Sequence, residues 1–83
     1  MTDRPNESRR RAAIWSMDRI ASHVRRSSDR RDLLAAVNVL DQITGRFLRE
    51  TRGARSVGDG QVVDQIQDEA ARLLERANEL VKR

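Results

Sequence analysis

The fold is decided by residues 29–47, "DRRDLLAAVNVLDQITGRF". The apolar side chains of this stretch recur at steps of three and four, which places them on one face of a helix. That face is formed by Leu33, Ala36, Leu40, Ile43 and Phe47. It is widened by Leu34, Val37 and Leu48. A face this broad can contact two neighbouring elements, so the pattern predicts a central helix over about residues 30–51.

Two local features of this helix are informative, namely its start and its single glycine. Ser28 or Asp29 is predicted to be the N-cap, because a side-chain oxygen there can accept a backbone N–H of the first turn. Asp32 then places a carboxylate at the positive end of the helix dipole. Gly45 lies inside the predicted helix, where it costs about 1 kcal/mol relative to alanine. We interpret Gly45 as a point of close approach by a neighbouring helix, with a hinge as the alternative.

Two further helices are predicted, one on each side of the central one. The first covers about residues 7–26, and its modest apolar face is formed by Ala13, Ile14, Met17, Ile20, Ala21 and Val24. The third covers about residues 61–82, with Asp59 as its predicted N-cap. Its heptad stripe is formed by Val63, Ile66, Ala70, Leu73, Ala77 and Leu80.

The remaining segments are predicted to be irregular. Residues 1–6 are polar and contain Pro5, which indicates a flexible N-terminal tail. Residues 53–60, "GARSVGDG", hold three glycines in eight positions, which predicts a mobile loop. Within that loop, Gly53 suits the left-handed residue that follows a helix end.

The chain is therefore predicted to be an all-α protein, a small three-helix bundle with one domain over residues 7–83 and the second helix in the middle. The alternative is a dimer in which the third helices of two copies form a coiled coil. The composition is also compatible with a homodimer, because a small polar chain often completes its burial against another subunit.

Composition narrows the class of protein. The 83 residues are 37% apolar and 36% charged, and none is cysteine, which fits a reducing compartment. No apolar run approaches the roughly 20 residues of a membrane span. The basic N-terminus is not followed by the apolar segment of a signal peptide. These features predict a soluble cytoplasmic protein without a membrane partner.

Catalytic chemistry finds no support in the sequence. His23 is the only histidine, it lies off the apolar face, and no cysteine is present as a nucleophile. The glycines of residues 53–60 match neither of the common phosphate-binding motifs. Asp64 and Asp68 share a helix face, but on so charged a helix they are typical of solvated surface. The sequence therefore predicts no enzyme, no cofactor and no metal site.

Protein binding is favoured by the stretch "RRRAAIWSMDR", residues 9–19, which holds the only tryptophan. On the helical wheel Trp15 points about 170° away from the centre of the apolar face. The predicted partner-binding surface consists of Arg11, Trp15, Arg19, Ser22 and Arg26. Tryptophan and arginine are the residue types most enriched at interface hot spots. The alternative is that Trp15 stacks on Arg11 or Arg19 within the chain. Unburied parts of the third-helix stripe are a second candidate surface.

Nucleic-acid binding is the competing function. Residues 1–31 carry nine basic and four acidic side chains, whereas residues 59–83 carry four and six. The arginines of the first segment would suit phosphate contacts and include Arg9, Arg10, Arg11, Arg19, Arg25, Arg26, Arg30 and Arg31. Against this, the loop before the third helix is too long for a helix-turn-helix, and the broad apolar face of the second helix leaves little surface for reading bases.

In size, in helix count and in its lack of a catalytic motif, the chain resembles the small helical antiactivators that control quorum sensing and conjugative transfer on bacterial mobile elements. The resemblance is one of overall type and assigns no residue. It implies a bacterial, cytoplasmic regulator that binds a transcriptional activator. The leading hypothesis is accordingly a non-enzymatic protein-interaction module, an antiactivator or adaptor whose partner is a regulatory protein.

Overall fold

The computed structural model describes residues 4–51 and 57–82, with side chains for residues 7–51 and 57–81. It contains three helices, α1 (Arg4–His23), α2 (Arg30–Glu50) and α3 (Val57–Lys82). Each helix contacts the other two, so they form a three-helix bundle that measures 51 × 17 × 15 Å. The prediction of a small all-α bundle is confirmed.

The ends of α2 follow from its sequence. Asp29 is the N-cap, and its Oδ1 accepts the backbone N–H of Arg31 at 2.9 Å. At the other end, both the backbone N–H and the hydroxyl of Thr51 donate to the carbonyl oxygen of Phe47, at 3.0 and 2.8 Å. These bonds satisfy backbone groups that a helix end leaves without intrahelical partners.

The core is mostly aliphatic, with Phe47 as its aromatic member, and draws on the predicted face of each helix. Its buried members are Ala13, Met17, Val24, Leu33, Ala36, Leu40, Phe47, Val62, Ile66, Ala70, Leu73 and Ala77. The stripe of α3 is confirmed with one shift, since Val62 is buried and Val63 only partly so. It packs within its own chain, as the intramolecular bundle requires.

The contact between α2 and α3 is the most extensive of the three. The completely buried Leu33 and Leu40 of α2 and Ile66 of α3 belong to the core there. The buried Thr44 hydroxyl at this contact has two hydrogen-bond partners. It donates to the Leu40 carbonyl at 3.1 Å and accepts a hydrogen bond from the Gln67 side-chain amide at 3.0 Å. A buried polar group with partners avoids the penalty of an unmade hydrogen bond.

The helix boundaries differ from the predicted ones at both flanking helices. The predicted tail, residues 1–6, is helical from Arg4, and residues 1–3 lie outside the described residues. The predicted loop, residues 53–60, is helical from Val57, and residues 53–56, with Gly53, also lie outside them. The glycine content of "VGDG" suggested a loop, but tertiary packing of the first turn overrides that local preference.

Asp59 is therefore not the N-cap of α3, and this prediction was wrong. It lies in the first turn of the helix, only 1% exposed, with its Oδ1 3.5 Å from Arg10 Nη1. The side chain turns inward because α1 presents a guanidinium there, which compensates for burying a carboxylate.

The interpretation of Gly45 as a close helix approach was also wrong. A Cβ built on Gly45 would meet only Arg49 Nη1 of the same helix, at 3.5 Å. Gly45 lies on the outer side of α2, in a shallow hollow with Asp41, Gln42 and Arg46. No neighbouring helix among the described residues requires a glycine at this position.

Three arginines fasten the ends of α1 to the rest of the bundle. At its start, Arg9 Nη1 donates to the Glu50 carbonyl at the end of α2 at 2.7 Å, and Arg10 pairs with Asp59. Beyond its end, Arg76 of α3 donates to the carbonyls of Val24 and Ser27 at 3.4 and 2.9 Å. The guanidinium groups of Arg9 and Arg76 suit their positions because the C-terminal ends of α2 and α1 carry partial negative charge.

Candidate protein-interaction surface

Trp15 points outward from α1, as predicted, and is 60% exposed. The guanidinium carbon of Arg19 lies 4.8 Å from the centre of its ring, within the range of a cation–π contact. The stack covers part of one ring face, and most of the indole stays open to solvent. The alternative interpretation, a stack on an arginine of the same helix, is thus confirmed for Arg19, and partner binding by Trp15 stays a prediction.

The other residues of the predicted surface divide into three positions. Ser22 lines a shallow hollow together with Trp15 and Arg19. Arg11 turns toward the start of α1 and pairs with Glu7 at 3.0 Å. Arg26 is exposed, but it lies in the turn after α1 and lines a different hollow. The predicted helix to residue 26 had placed it in register with Trp15, whereas α1 ends at His23.

An open groove runs beside Trp15, between α1 and α2. One part of it has a volume of about 540 Å³ and is lined by Trp15, Ser16, Arg19, Ile20, His23, Val39 and Ile43. A second part, of about 290 Å³, is lined by Ser8, Arg9, Ala12, Ala13, Ser16, Ile43, Arg46, Phe47 and Glu50. Ser16 and Ile43 border both parts, so the two hollows adjoin along the helices. We call the whole feature the α1–α2 groove.

Small side chains on α1 create the α1–α2 groove. Ala12 and Ser16 line its wall, where larger residues would fill the space between the helices. On the α2 wall, Val39 and Ile43 are only partly buried. Apolar surface at the bottom of a concave site is the usual composition of a binding groove.

The charged groups at one end of the groove converge on Glu50. Arg46 Nε lies 2.9 Å from Glu50 Oε1, and Arg9 Nε lies 3.9 Å from Glu50 Oε2. Two guanidinium groups therefore share one carboxylate. Since Arg19 lies at the other end, the lining of the groove carries a net positive charge.

The arginine tract at residues 9–11 is used within the fold. Arg9 binds Glu50, Arg10 pairs with Asp59 and Arg11 pairs with Glu7. A different cluster, Arg25, Arg26 and Arg30, is exposed at the turn between α1 and α2 and forms no ion pair with another described residue. The described arginines of residues 9–31 that form no ion pair thus include a cluster at the α1–α2 turn, whereas those at the start of α1 are paired.

The stripe of α3 does not supply the second candidate surface. Ile66, Ala70, Leu73 and Ala77 are buried, and Val63 and Leu80 pack at the edge of the core. The exposed apolar residues of the same helix include Leu74 and Val81, which lie beside the stripe. Because the stripe is covered by the chain's own helices, the α1–α2 groove is the stronger candidate.

The groove was not found by sequence reasoning, although Trp15 pointed to its edge. A helical wheel describes one helix, whereas a groove depends on the distance between two. The sequence offered two signals, namely the small Ala12 and Ser16 on the first helix and Val39 on the second. Read together, small residues facing a half-buried valine indicate two helices that do not fill the space between them.

Other kinds of site find no support among the described residues. Within residues 4–51 and 57–82, no group of three or more potential ligands is placed to hold a metal ion. Over the same ranges, no helix is long and apolar enough to cross a membrane. Comparisons of the chain with protein-family models, with curated proteins and with solved structures found no match.

Proposed function

We propose that this protein is a non-enzymatic helical module that binds a regulatory protein through Trp15 and the α1–α2 groove. The observation that carries the proposal is the 60% exposed Trp15 at the edge of an open groove with an apolar floor. The chain resembles small helical antiactivators in overall type, which favours a transcriptional regulator in the bacterial cytoplasm as the partner.

The physical argument starts from the cost of exposing a tryptophan. Its large apolar surface is unfavourable in water, and its burial at an interface returns that free energy to the complex. Trp15 lies next to the half-buried Ile20, Val39 and Ile43, so a partner that covers it also covers a continuous apolar surface. Contiguous apolar surface of this kind is typical of protein-binding sites.

The proposal is tested by affinity capture from the organism that encodes the protein. The matched variants are Trp15→Ala in the surface and Leu74→Ala on the exposed side of α3. We expect a regulatory protein to be retained by the native chain and by Leu74→Ala, and to be lost from Trp15→Ala. Equal retention by both variants, with both shown to be folded by circular dichroism, would contradict the proposal.

A second candidate function, nucleic-acid binding, is favoured by the exposed Arg25, Arg26 and Arg30. Unpaired guanidinium groups at one end of a small domain suit phosphate contacts. The test is an electrophoretic shift with nonspecific duplex DNA at low salt, using Arg25→Ala/Arg26→Ala/Arg30→Ala as the variant. Binding that is lost in this variant and falls steeply with salt would support the second candidate, and no shift at low salt would remove it.

A further inference from the structure

We propose that the occupant of the α1–α2 groove is an acidic amphipathic helix of about four turns, supplied by the partner protein. This inference rests on the proposed function and specifies the chemistry of the partner. It is carried by the length of the groove, by its apolar floor and by the sign of the charges in its lining.

The length of the groove matches a helix. Its lining on α1 extends from Ser8 to His23, which corresponds to about 22 Å at 1.5 Å per residue. A helix of about 15 residues has the same length. Laid between α1 and α2, such a helix converts the three-helix bundle into a four-helix arrangement, which is a common packing solution.

The apolar floor of the groove favours a partner helix that carries an apolar stripe. Ile20, Val39 and Ile43 are half-buried in the free protein and form its wider part, beside Trp15. A docked helix reaches such a floor with side chains at positions i, i+3, i+4 and i+7. The small Ala12 and Ser16 leave room for larger aliphatic side chains, such as leucine, from the partner.

The positive charges of the groove favour a partner helix with acidic residues beside that stripe. The charged lining consists of Arg9, Arg46 and Arg19, with Glu50 as its one carboxylate among the described residues and His23 at the far end. Glu50 already bonds to two arginines, yet its Oε2 is 3.9 Å from Arg9 Nε. A partner carboxylate here would give these guanidinium groups a second acceptor, with the geometry that arginine favours.

A second copy of this chain is a poorer occupant. The acidic helix it would supply is α3, whose outward face carries Asp64, Asp68 and Glu75. The large exposed apolar residues that the structure describes on α3 are Val57, at its first position, and Leu74 and Val81, in its second half. They are too few to cover a floor that is as long as the groove, so the observations favour a separate partner.

The test uses Trp15 as a reporter, because it is the only tryptophan in the chain. The probe is a designed peptide of about 15 residues with a leucine stripe, glutamate on both flanks and no aromatic residue. The matched probe replaces every glutamate by lysine. We expect the acidic peptide to shift the Trp15 emission to the blue with saturation, because docking removes water from the indole, and to bind at least tenfold more tightly than the basic peptide.

Two charge reversals locate the binding site. Arg46→Glu lies in the groove and Arg72→Glu lies on α3, and both arginines are exposed partners of a nearby glutamate, with 78% and 70% of the side chain accessible. The two variants have the same net charge. We expect Arg46→Glu to weaken binding of the acidic peptide at least tenfold and Arg72→Glu to change it less than twofold.

Three outcomes would overturn the inference. The first is equal affinity for the acidic and basic peptides, and the second is equal behaviour of the two charge reversals. The third is a concentration-dependent dimer that Arg46→Glu dissociates and Arg72→Glu does not, since the groove would then hold a second copy. In the first two cases, the loss of partner capture by Trp15→Ala would still support the proposed function, so the failure of the inference is distinguishable from the failure of the function.

Discussion

Helices α1 and α3 both pack on α2, but they are held there by different interactions. α3 supplies an almost continuous buried stripe and makes the most extensive contact with α2. α1 buries Ala13 and Met17, and the turn after it buries Val24. Arginines that bond to carbonyl and carboxylate oxygens fasten α1 at its two ends. The smaller buried surface of α1 is thus supplemented by polar contacts at its ends.

This difference explains where the groove lies. A helix that is held along its whole length by large side chains leaves no space beside it. α1 is held by Ala13, Met17 and the contacts at its ends, and beside them it presents the small Ala12 and Ser16 to the groove. The bundle therefore places its stability at the α2–α3 contact and leaves the α1–α2 contact open for recognition.

The largest effect is expected from a cavity at the well-packed side of the bundle. Leu40→Ala removes a completely buried side chain, and such substitutions lower the free energy of unfolding by about 2–5 kcal/mol. A domain this small has little stability to lose. Urea denaturation followed by circular dichroism should show a largely unfolded or strongly destabilised chain. A loss below about 1 kcal/mol would contradict the assignment of most stability to α2 and α3.

A smaller loss is expected where α1 is fastened to α3. Asp59→Ala leaves Arg10, whose side chain is 21% exposed, without the carboxylate 3.5 Å away, and should lower the free energy of unfolding by about 1–3 kcal/mol. The control is Asp64→Ala, an exposed aspartate of the same helix, which should change it by less than about 0.5 kcal/mol. Equal losses in the two variants would show that the ion pair does not hold α1.

A gain in stability is expected on the outer side of α2, away from both contacts. Gly45→Ala places a Cβ in ordinary contact with Arg49 and removes the conformational freedom of a glycine in a helix. Thermal and urea unfolding should show an increase of about 1 kcal/mol. A decrease would revive the interpretation that a close approach requires glycine at this position.

The smallest change in stability is expected at Trp15, on the open side of the bundle. Trp15→Ala removes an exposed cation–π contact with Arg19, which is worth about 0.5–1 kcal/mol. Differential scanning calorimetry should therefore show a nearly native transition while partner capture is lost. A large drop in the melting temperature with unchanged capture would assign Trp15 to the fold instead of to recognition.

The parts of the structure that were predictable are those encoded within single helices. The apolar faces, the Asp29 cap and the outward position of Trp15 all follow from spacing along one segment. The predicted helix boundaries at residues 26 and 61 differ from the observed ones, at His23 and Val57, because helix ends depend on partners elsewhere in the chain. Arg76, for example, reaches the carbonyls of Val24 and Ser27 from a helix about fifty positions later.

The candidate site was predictable only in part for the same reason. The wheel identified Trp15 and Arg19, which are neighbours on one helix. It did not identify the groove, which needs Val39 and Ile43 from α2. Nor did it distinguish Arg9 and Arg10, which serve the fold, from Arg25, because all are basic residues of the same N-terminal segment.

The position of Arg76 has a consequence for how the chain is made. The ribosome synthesises α1 and α2 before it adds the residues that fasten α1 to α3, namely Asp59 and Arg76. Until then the nascent hairpin exposes the face of α2 that α3 will cover, including Leu40. Because these two residues fasten α1, completion of the fold requires that the third helix has emerged from the exit tunnel.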